Sequence, residues 1–429
     1  MKQLTAILIG AGARGAESYA PYSLYNPHEL KFVAVAEADP ERRAKFAEAH
    51  ALPAERVYES WEPLLAEPKL ADIAVICTQD RMHFHPTIYA LNKKYHVLLE
   101  KPMSPDPKEC LEMERVAKEN DRLLTICHVL RYTPFWSTIK ELIQGGQIGE
   151  VVSIQLNENV GYWHIAHSFV RGNWNNSEHS SPMILAKSCH DMDVLSWLMD
   201  QPCTKISSFG SLKHFHKGNT PEGAAERCLD CWVQSDCPYS APRFYLSDQF
   251  KGWARHFTQD LSQEKIVQGL RETNYGRCVY TSDNNVVDHQ VVNMEFANGA
   301  TAIFSMCGFT FEQERRIQIM GTRGELRGEG DKITLFDFLT HKKTETTIAV
   351  QSSGHGGGDT GIVSSFLNEV RNYNGQESLT SASASVRSHL MAFAAEESRL
   401  NGGKVIDLNE YADTLCSIDP RNHSVENSL

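Results

Sequence analysis

Thr5–Ala20 reads TAILIGAGARGAESYA: a short apolar run, then Gly10, Gly12 and Gly15 in G-x-G-x-x-G spacing, then a helical pattern. The first glycine permits a tight turn, the second lets the backbone approach a pyrophosphate, and the third lets the next helix pack close to the strand. An anion then rests on the helix start at Gly12, Ala13, Arg14 and Gly15, where free N–H groups and the helix dipole favour negative charge. A glycine turn alone is weak evidence, so the flanking pattern has to decide.

Working outward, LKFVAVAEADPERRAKFAEAH (residues 30–50) reads as a second strand ending at Glu37, with Asp39-Pro40 opening a helix. A carboxylate about 20 residues past the glycines bonds the ribose 2′-hydroxyl in dinucleotide folds. Glu37 lies slightly beyond that spacing and disfavours a 2′-phosphate, so NAD is the expected cofactor; Arg42 and Arg43 leave NADP open. The rhythm continues through ADIAVICTQD, the helical HFHPTIYALNKK, the buried strand YHVLLEKPMS, a further helix and the strand RLLTICHVLRY. Continuous apolar runs suit a parallel sheet covered on both faces. Ligands bind at strand C-termini in such sheets. That edge carries Thr78, Gln79, His83, Glu100, Lys101 and His128, with Arg131 just beyond. Pro102 restricts Lys101 to an extended shape, a means of fixing a lysine at the mouth of a crevice.

The chain has 429 residues, enough for two or three domains, and is 41% hydrophobic and 22% charged, as ordinary globular proteins are. A net charge of −12 argues against nucleic acid or anionic membrane as partner. The N-terminal MKQLTAILIGAG runs into a glycine turn, not a cleavage site, and is read as a first strand of an intracellular, cytoplasmic protein. Eleven cysteines, an odd number scattered through apparent core segments, fit buried free thiols in a reducing compartment.

The glycine motif, CTQDRMHFHPTIYAL and HVLLEKP, followed by IKELIQGGQIGEVVSIQ and CHDMDVLSWLM, resemble the Gfo/Idh/MocA family of NAD(P)-dependent sugar and cyclitol oxidoreductases. The resemblance implies an N-terminal Rossmann domain (1–127) and an α+β domain built on a large, mainly antiparallel sheet (128–400). Residues 211–283 read as an insertion and 401–429 as a peripheral segment.

MILAKSCHDMDVLSWLM (Met183–Met199) reads as one helix on which Lys187, His190 and Asp191 share a face. Oxidising an alcohol needs a base for the hydroxyl proton and a cation for the developing alkoxide. The resemblance assigns these roles to His190 and Lys101. Family dehydrogenases often carry an Asp four residues before that histidine; Ala186 stands there. Lys187 is then a second candidate cation, to depress the His190 pKa or to pair with a substrate acid. Asp193 lies one turn on and is a candidate substrate contact.

NVGYWHIAHSFVRGNWNN concentrates Tyr162, Trp163, His164, Arg171 and Trp174, which suit stacking on sugar faces and bonding to hydroxyls. With His128, Arg131 and Asp193 they form the expected substrate wall. Cys228, Cys231 and Cys237, in C-x2-C-x5-C spacing with His214 or His216 near, are candidates for a structural zinc, against buried free thiols as the alternative. Beyond, alternating residues read as antiparallel strands. SSGHGGGDTGIVSSFLNEV reads as a glycine loop before a helix capped by Asp359 or Thr360, and SASVRSHLMAFAAEESRL as a helix packing back towards the site.

The leading reading is an NAD-dependent oxidoreductase acting on a sugar or sugar derivative. A rival is a glycosidase using NAD transiently, by oxidation, elimination, hydration and re-reduction. A reading of another class is a non-catalytic sugar-sensing protein. The partner is a small sugar or glycoside, and a homodimer or homotetramer is expected from a large sheet with one open face.

Overall fold

In a computed structural model, which describes residues 2–349 and 354–417, the opening apolar run becomes the central strand of a parallel sheet. Its strands are β1 Leu4–Ile9, β2 Leu30–Ala36, β3 Val57–Tyr58, β4 Ile73–Ile76, β5 His96–Leu99 and β6 Leu124–Ile126, in the order β3-β2-β1-β4-β5-β6. This is the dinucleotide-fold order, with the sequence reversing direction between β1 and β4. Ala6, Ile7, Leu8 and Ile9 are at most 1% exposed, because helices cover both faces. Asp39 opens the helix Pro40–Ala49 by accepting the Arg42 N–H at 2.9 Å, and Asp106 does the same for Pro107–Glu119 through Lys108.

A second, mixed sheet follows: β7 Val151–Asn159, β8 Cys203–Ser211, β9 His289–Phe296, β10 Thr301–Cys307, β11 Glu314–Gly321, β12 Gly324–Glu329, β13 Lys332–Asp337, β14 Lys343–Thr347 and β15 Ile406–Asp407. The order is β14-β13-β12-β11-β7-β10-β9-β8-β15, and among these strands β7 and β10 pair in parallel while the other pairs are antiparallel. Its strands alternate. Ile154, Leu156, Val292, Met294, Ala302 and Phe304 face the core, whereas Val152, Phe209, Val291 and Ile303 are exposed on the other side. The helix Ala382–Leu400 covers the inner face of β8 and packs on the helix Cys189–Met199, as its apolar pattern suggests.

The stretch Met183–Met199 is not one helix but two, Met183–Ala186 and Cys189–Met199, broken at Lys187-Ser188. In a continuous helix the Ala186 carbonyl would accept the His190 N–H. Here it accepts the Lys101 ammonium at 2.9 Å. Lys187 and His190 therefore do not share a helical face; each is placed by its own short element.

The insertion is better organised than its sequence suggests. Cys228, Ala241, Tyr245, Ala254, Ile266, Leu270 and Tyr275 form a small core of their own. The polar C-terminal stretch is described only to Ser417; the remainder lies outside the described residues, as do Ser352 and Ser353 of the glycine loop.

Candidate active site

The glycine loop has the geometry its spacing predicts. Gly10 has φ +90°, and a Cβ there would lie 2.6 Å from the Cys77 carbonyl oxygen; a Cβ on Gly15 would lie 2.2 Å from that of Gly10. At Gly12 the nearest atom to such a Cβ is Arg42 Nη1 at 3.9 Å, so that face is open, and no side chain caps the helix Ala13–Tyr19 that begins beyond it. Open backbone, an uncapped helix start and an acid at the end of β2 fit a dinucleotide. Glu37 accepts the Ala11 N–H at 2.6 Å and the Asp39 N–H at 3.0 Å, which fixes its carboxylate at the loop.

The Arg14 side chain is committed elsewhere. Its guanidinium bonds Glu100 at 2.6 Å and both Asp359 oxygens at 2.8 and 3.1 Å, with Tyr19 and Ser18 completing the set. Arg14 thus offers a dinucleotide its backbone, not its charge. Glu100 is buried and also accepts the Lys101 N–H at 2.8 Å. Burial would raise its carboxyl, but Arg14, Lys101 and the Tyr19 hydroxyl hold it below the usual range. The His83 ring spans the carbonyls of Pro102 (2.8 Å) and Thr78 (3.0 Å), and Thr78 donates to the Met82 carbonyl. Both residues brace the strand-end loops in this structure.

Lys101 lies where those loops meet the second sheet. One residue past the carbonyl it bonds, Lys187 pairs with Glu158 of β7 at 3.0 Å. Glu158 also meets Arg315 of β11 at 2.9 Å, and Arg315 holds Asp191 at 2.7 and 3.1 Å. Two cations and two anions therefore cancel in one buried group. Burial raises the Asp191 carboxyl, opposed by Arg315 and reinforced by Glu158. Glu158 and Arg315 face each other across the β7–β11 pair.

His190 is 6% exposed, and its Nδ1 is buried without a hydrogen-bond partner among the described residues. Burial pushes its pKa well down, and Lys101, His128, Arg315 and His355 push in the same direction, so the ring is a neutral base. His164 is driven down by burial, then by Lys187, with Lys101 adding to it. His164 thus feels the charge of both lysines, while Tyr162 packs against Tyr239.

Six residues expected at the substrate wall are bonded, packed or buried elsewhere in this structure. Asp193 is fully buried and accepts the Arg131 guanidinium at 2.7 and 2.6 Å. His128 is 0% exposed, with its ring centroid 5.9 Å from that of His190. Arg171, 4% exposed, donates to the carbonyls of Arg277 and Tyr239 at 2.7 Å each and lies 3.4 Å from Cys228 Sγ, so it staples the insertion. Trp163 stacks among His164, Phe244, Phe250 and Trp253, and the Trp174 indole reaches Asp80 at 3.3 Å.

The zinc expectation is not met either. Among the described residues no three His, Cys, Asp or Glu side chains are grouped to hold a metal ion. Cys228 Sγ donates to the Arg277 carbonyl at 3.7 Å, while His214 meets the Tyr280 hydroxyl and His216 the Lys213 carbonyl. Cys228, Cys231 and Cys237 are free thiols, and the insertion is held by its apolar core. The expected helix cap at Asp359 or Thr360 also fails: Gly357 precedes the helix Gly358–Arg371, and Asp359 turns back to Arg14 and His355.

Glu158, Arg315 and His355 were missed from the sequence. The first two carried a signal, because they fall in the inward phase of their strands with Ile154 and Leu156, and with Ile317 and Ile319.

A dinucleotide-type glycine loop on a parallel sheet, joined to a large mixed sheet, is the two-sheet build of a dinucleotide-binding protein. The chain belongs to the Gfo/Idh/MocA oxidoreductase family: residues 4–128 match its NAD-binding Rossmann fold and residues 140–407 its C-terminal alpha/beta domain. It is 25% identical over 351 residues to the putative oxidoreductase YteT of Bacillus subtilis, covering 75% of this chain and 78% of that one. It is 27% identical over 155 residues to 2,7-anhydro-N-acetylneuraminate hydratase of Escherichia coli, covering 36% and 41%. Levoglucosan dehydrogenase, solved with NADH and L-sorbose, shares the fold with a TM-score of 0.70 at 17% identity, over 95% of this chain and 99% of that one. Among the described residues no helix is long and apolar enough to cross a membrane.

Proposed function

We propose that the protein is an NAD-dependent oxidoreductase that acts on a hydroxyl of a neutral sugar or sugar derivative. The observation that carries this reading is the Lys101 ammonium, held at 2.9 Å on the carbonyl of Ala186, four residues before His190, whose pKa burial and then Lys101 depress. His190 takes the hydroxyl proton, and Lys101 orients the oxygen and stabilises developing negative charge. Gly10, Gly12 and the start of the Ala13–Tyr19 helix would hold the pyrophosphate and Glu37 the adenosine ribose, which favours NAD over NADP. When bound, the nicotinamide supplies hydride acceptance.

Neutral substrates follow from the charge pairing. Lys187, the expected partner for a substrate acid, is neutralised by Glu158. The substrate wall is Tyr162 and His164, and levoglucosan dehydrogenase, of like fold, acts on such a sugar. The exposed Val152, Phe209, Val291 and Ile303 face supports pairing of two copies through the second sheet.

The redox-neutral alternative, in which oxidation is followed by loss or gain of a substituent and re-reduction, is favoured by one observation: a second histidine, His355, lies near His190. The named hydratase among the relatives is in keeping with it.

The test is a panel of free hexoses and aryl glycosides offered to protein whose bound cofactor has been identified by mass. Sugar-dependent reduction of NAD is expected, with His190→Ala slowed by about 10²–10⁴-fold. Wild-type-like turnover by His190→Ala would overturn the assignment.

A further inference from the structure

The segment ahead of the helix Gly358–Arg371 makes three successive left-handed residues, His355 (φ +51°), Gly356 (φ +62°) and Gly357 (φ +97°). Glycine adopts that backbone freely, but at His355 it costs about 1–2 kcal/mol. Something must hold it there. His355 Nδ1 lies 3.0 and 3.3 Å from the two Asp359 oxygens, and Asp359 is itself gripped at both oxygens by Arg14. Arg14 bonds Glu100, the neighbour of Lys101, so the segment is anchored to the floor of the site. Asp359 is 3% exposed, whereas the His355 side chain is 40% exposed. Its ring centroid stands 6.1 Å from that of His190.

We propose that His355 is a second acid–base group of the site, exchanging a proton with the substrate beside the position served by His190. The inference rests on the oxidoreductase reading and deepens it. A buried carboxylate at Nδ1 fixes the proton there and leaves Nε2 as the transferring nitrogen, the orientation a carboxylate imposes on a catalytic imidazole. Burial would raise the Asp359 carboxyl, yet His355 and Arg14 keep it below the usual range, so the anion persists. Each imidazole reaches about 3 Å by hydrogen bond. Two rings 6.1 Å apart therefore serve neighbouring substituents of one sugar.

Oxidation of a single hydroxyl employs only one base: the O–H proton passes to His190 and then to solvent as hydride leaves carbon for the nicotinamide. A second group has work only if the ketone is carried further. The proton on the carbon next to the ketone passes to His190, its electron pair forms a C=C bond, and the C–O bond one carbon on breaks. The departing oxygen takes the proton of the His355 imidazolium. Water then adds at that carbon and gives a proton to His355, His190 returns its proton to carbon, and hydride returns to the ketone carbon as its oxygen takes back a proton from solvent through His190. The sum is one C–O bond hydrolysed with no net redox change.

The experiment compares wild type, His355→Gln and His190→Ala, leaving Asp359 and its Arg14 contact intact. Aryl glycosides and free hexoses are supplied with NAD, and the reduced cofactor and the released phenol are followed separately. Wild type is expected to release phenol without accumulating reduced cofactor. His355→Gln is expected to keep hydride transfer, accumulating ketone and reduced cofactor, while phenol release falls by about 10²–10⁴-fold; His190→Ala loses both. Unchanged NADH binding and melting temperature in His355→Gln keep the comparison free of folding. As a readout without turnover, ¹⁵N-imidazole NMR of the cofactor-free protein is expected to find His355 protonated at Nδ1. A proton at Nε2, equal phenol release by His355→Gln and wild type, or equal loss of both steps in His355→Gln overturns the proposal. Stoichiometric reduced cofactor with no phenol release from any glycoside overturns it too, but leaves the oxidoreductase reading standing. Neither phenol release nor cofactor reduction, transient or net, with any sugar would instead remove that reading.

Discussion

Replacing Glu158 by Gln tests whether the charges beside His190 are a balanced group. Lys187 and Arg315 contribute two positive charges, Glu158 and Asp191 two negative ones, at separations of 3.0, 2.9 and 2.7 Å along the chain of contacts. Their side chains are 15%, 17%, 2% and 0% exposed, respectively, so water screens them little. At an effective dielectric constant near 20, the two Glu158 contacts are each worth about 5.5 kcal/mol of Coulomb attraction. The cost of burying the carboxylate, several kcal/mol, offsets much of that, as does relief of its repulsion with Asp191. Removing one partner while leaving a buried cation unpaired is expected to cost about 3–5 kcal/mol. Urea unfolding of Glu158→Gln measures this directly. The double variant Glu158→Gln/Lys187→Met restores neutrality and is expected to regain at least half of the loss. A single-variant loss below about 1 kcal/mol, as for a surface pair, would refute the reasoning. So would a double variant in which the two losses simply add.

Three shorter tests follow. Arg131→Met is expected to cost about 3–5 kcal/mol of stability through the unpaired Asp193, with KM for the sugar within about twofold; a large KM change at wild-type stability would return Arg131 to the substrate wall. Glu37→Ser is expected to weaken NAD binding about tenfold, the loss of about 1.4 kcal/mol from charge-assisted bonds, while NADP gains relative to NAD beside Arg42; an unchanged NAD/NADP ratio by fluorescence titration would contradict this. His389 Nδ1–H donates to the Ser385 carbonyl and its Nε2 accepts the Met103 N–H in the core, and burial, with His128, lowers its pKa to about 3. Its folded value lies below its unfolded one, so its stabilisation is complete above about pH 6.5 and is lost as the pH falls towards 3. Across that window His389→Gln should flatten the stability–pH curve by about 1.4 kcal/mol per pH unit, and coincident slopes in urea titrations would sink the attribution.

The first sheet was legible because its information is local. Glycine spacing sets the turn, and apolar runs such as Ile73–Ile76 can be buried on both faces only by a parallel sheet. The His190 helix was legible as a pattern but not in its break, since the cause is a lysine 85 residues away that takes the Ala186 carbonyl. Arg131, Asp193 and Arg171 show the opposite failure. Their residue types suggest a wet site, yet their partners lie far along the chain and satisfy them internally. Glu158 and Arg315 were readable in principle, as charged residues in the buried phase of alternating strands. The insertion escaped periodicity because its core is assembled from short helices and aromatic contacts, not from one amphipathic face.

The same long-range contacts bear on how a cofactor would be used. Arg81 donates to the Ser177 carbonyl at 2.9 Å, Trp174 and Ser181 reach Asp80 at 3.3 and 2.6 Å, and Arg14 grips Asp359. The charge of Arg42, beside the glycine loop, is felt by His256 and Tyr275 of the insertion. Residues beyond the first sheet thus contact the strand-end loops of that sheet at several points. A dinucleotide seated at the glycine loop is expected to exchange slowly beside these contacts. Slow exchange handicaps an enzyme that must release reduced cofactor each turnover, because lid opening then limits the rate. It is no handicap to one that returns the hydride before the product leaves. Slow NADH release in stopped-flow fluorescence is the outcome expected of the proposed redox-neutral cycle; release faster than turnover would count against it.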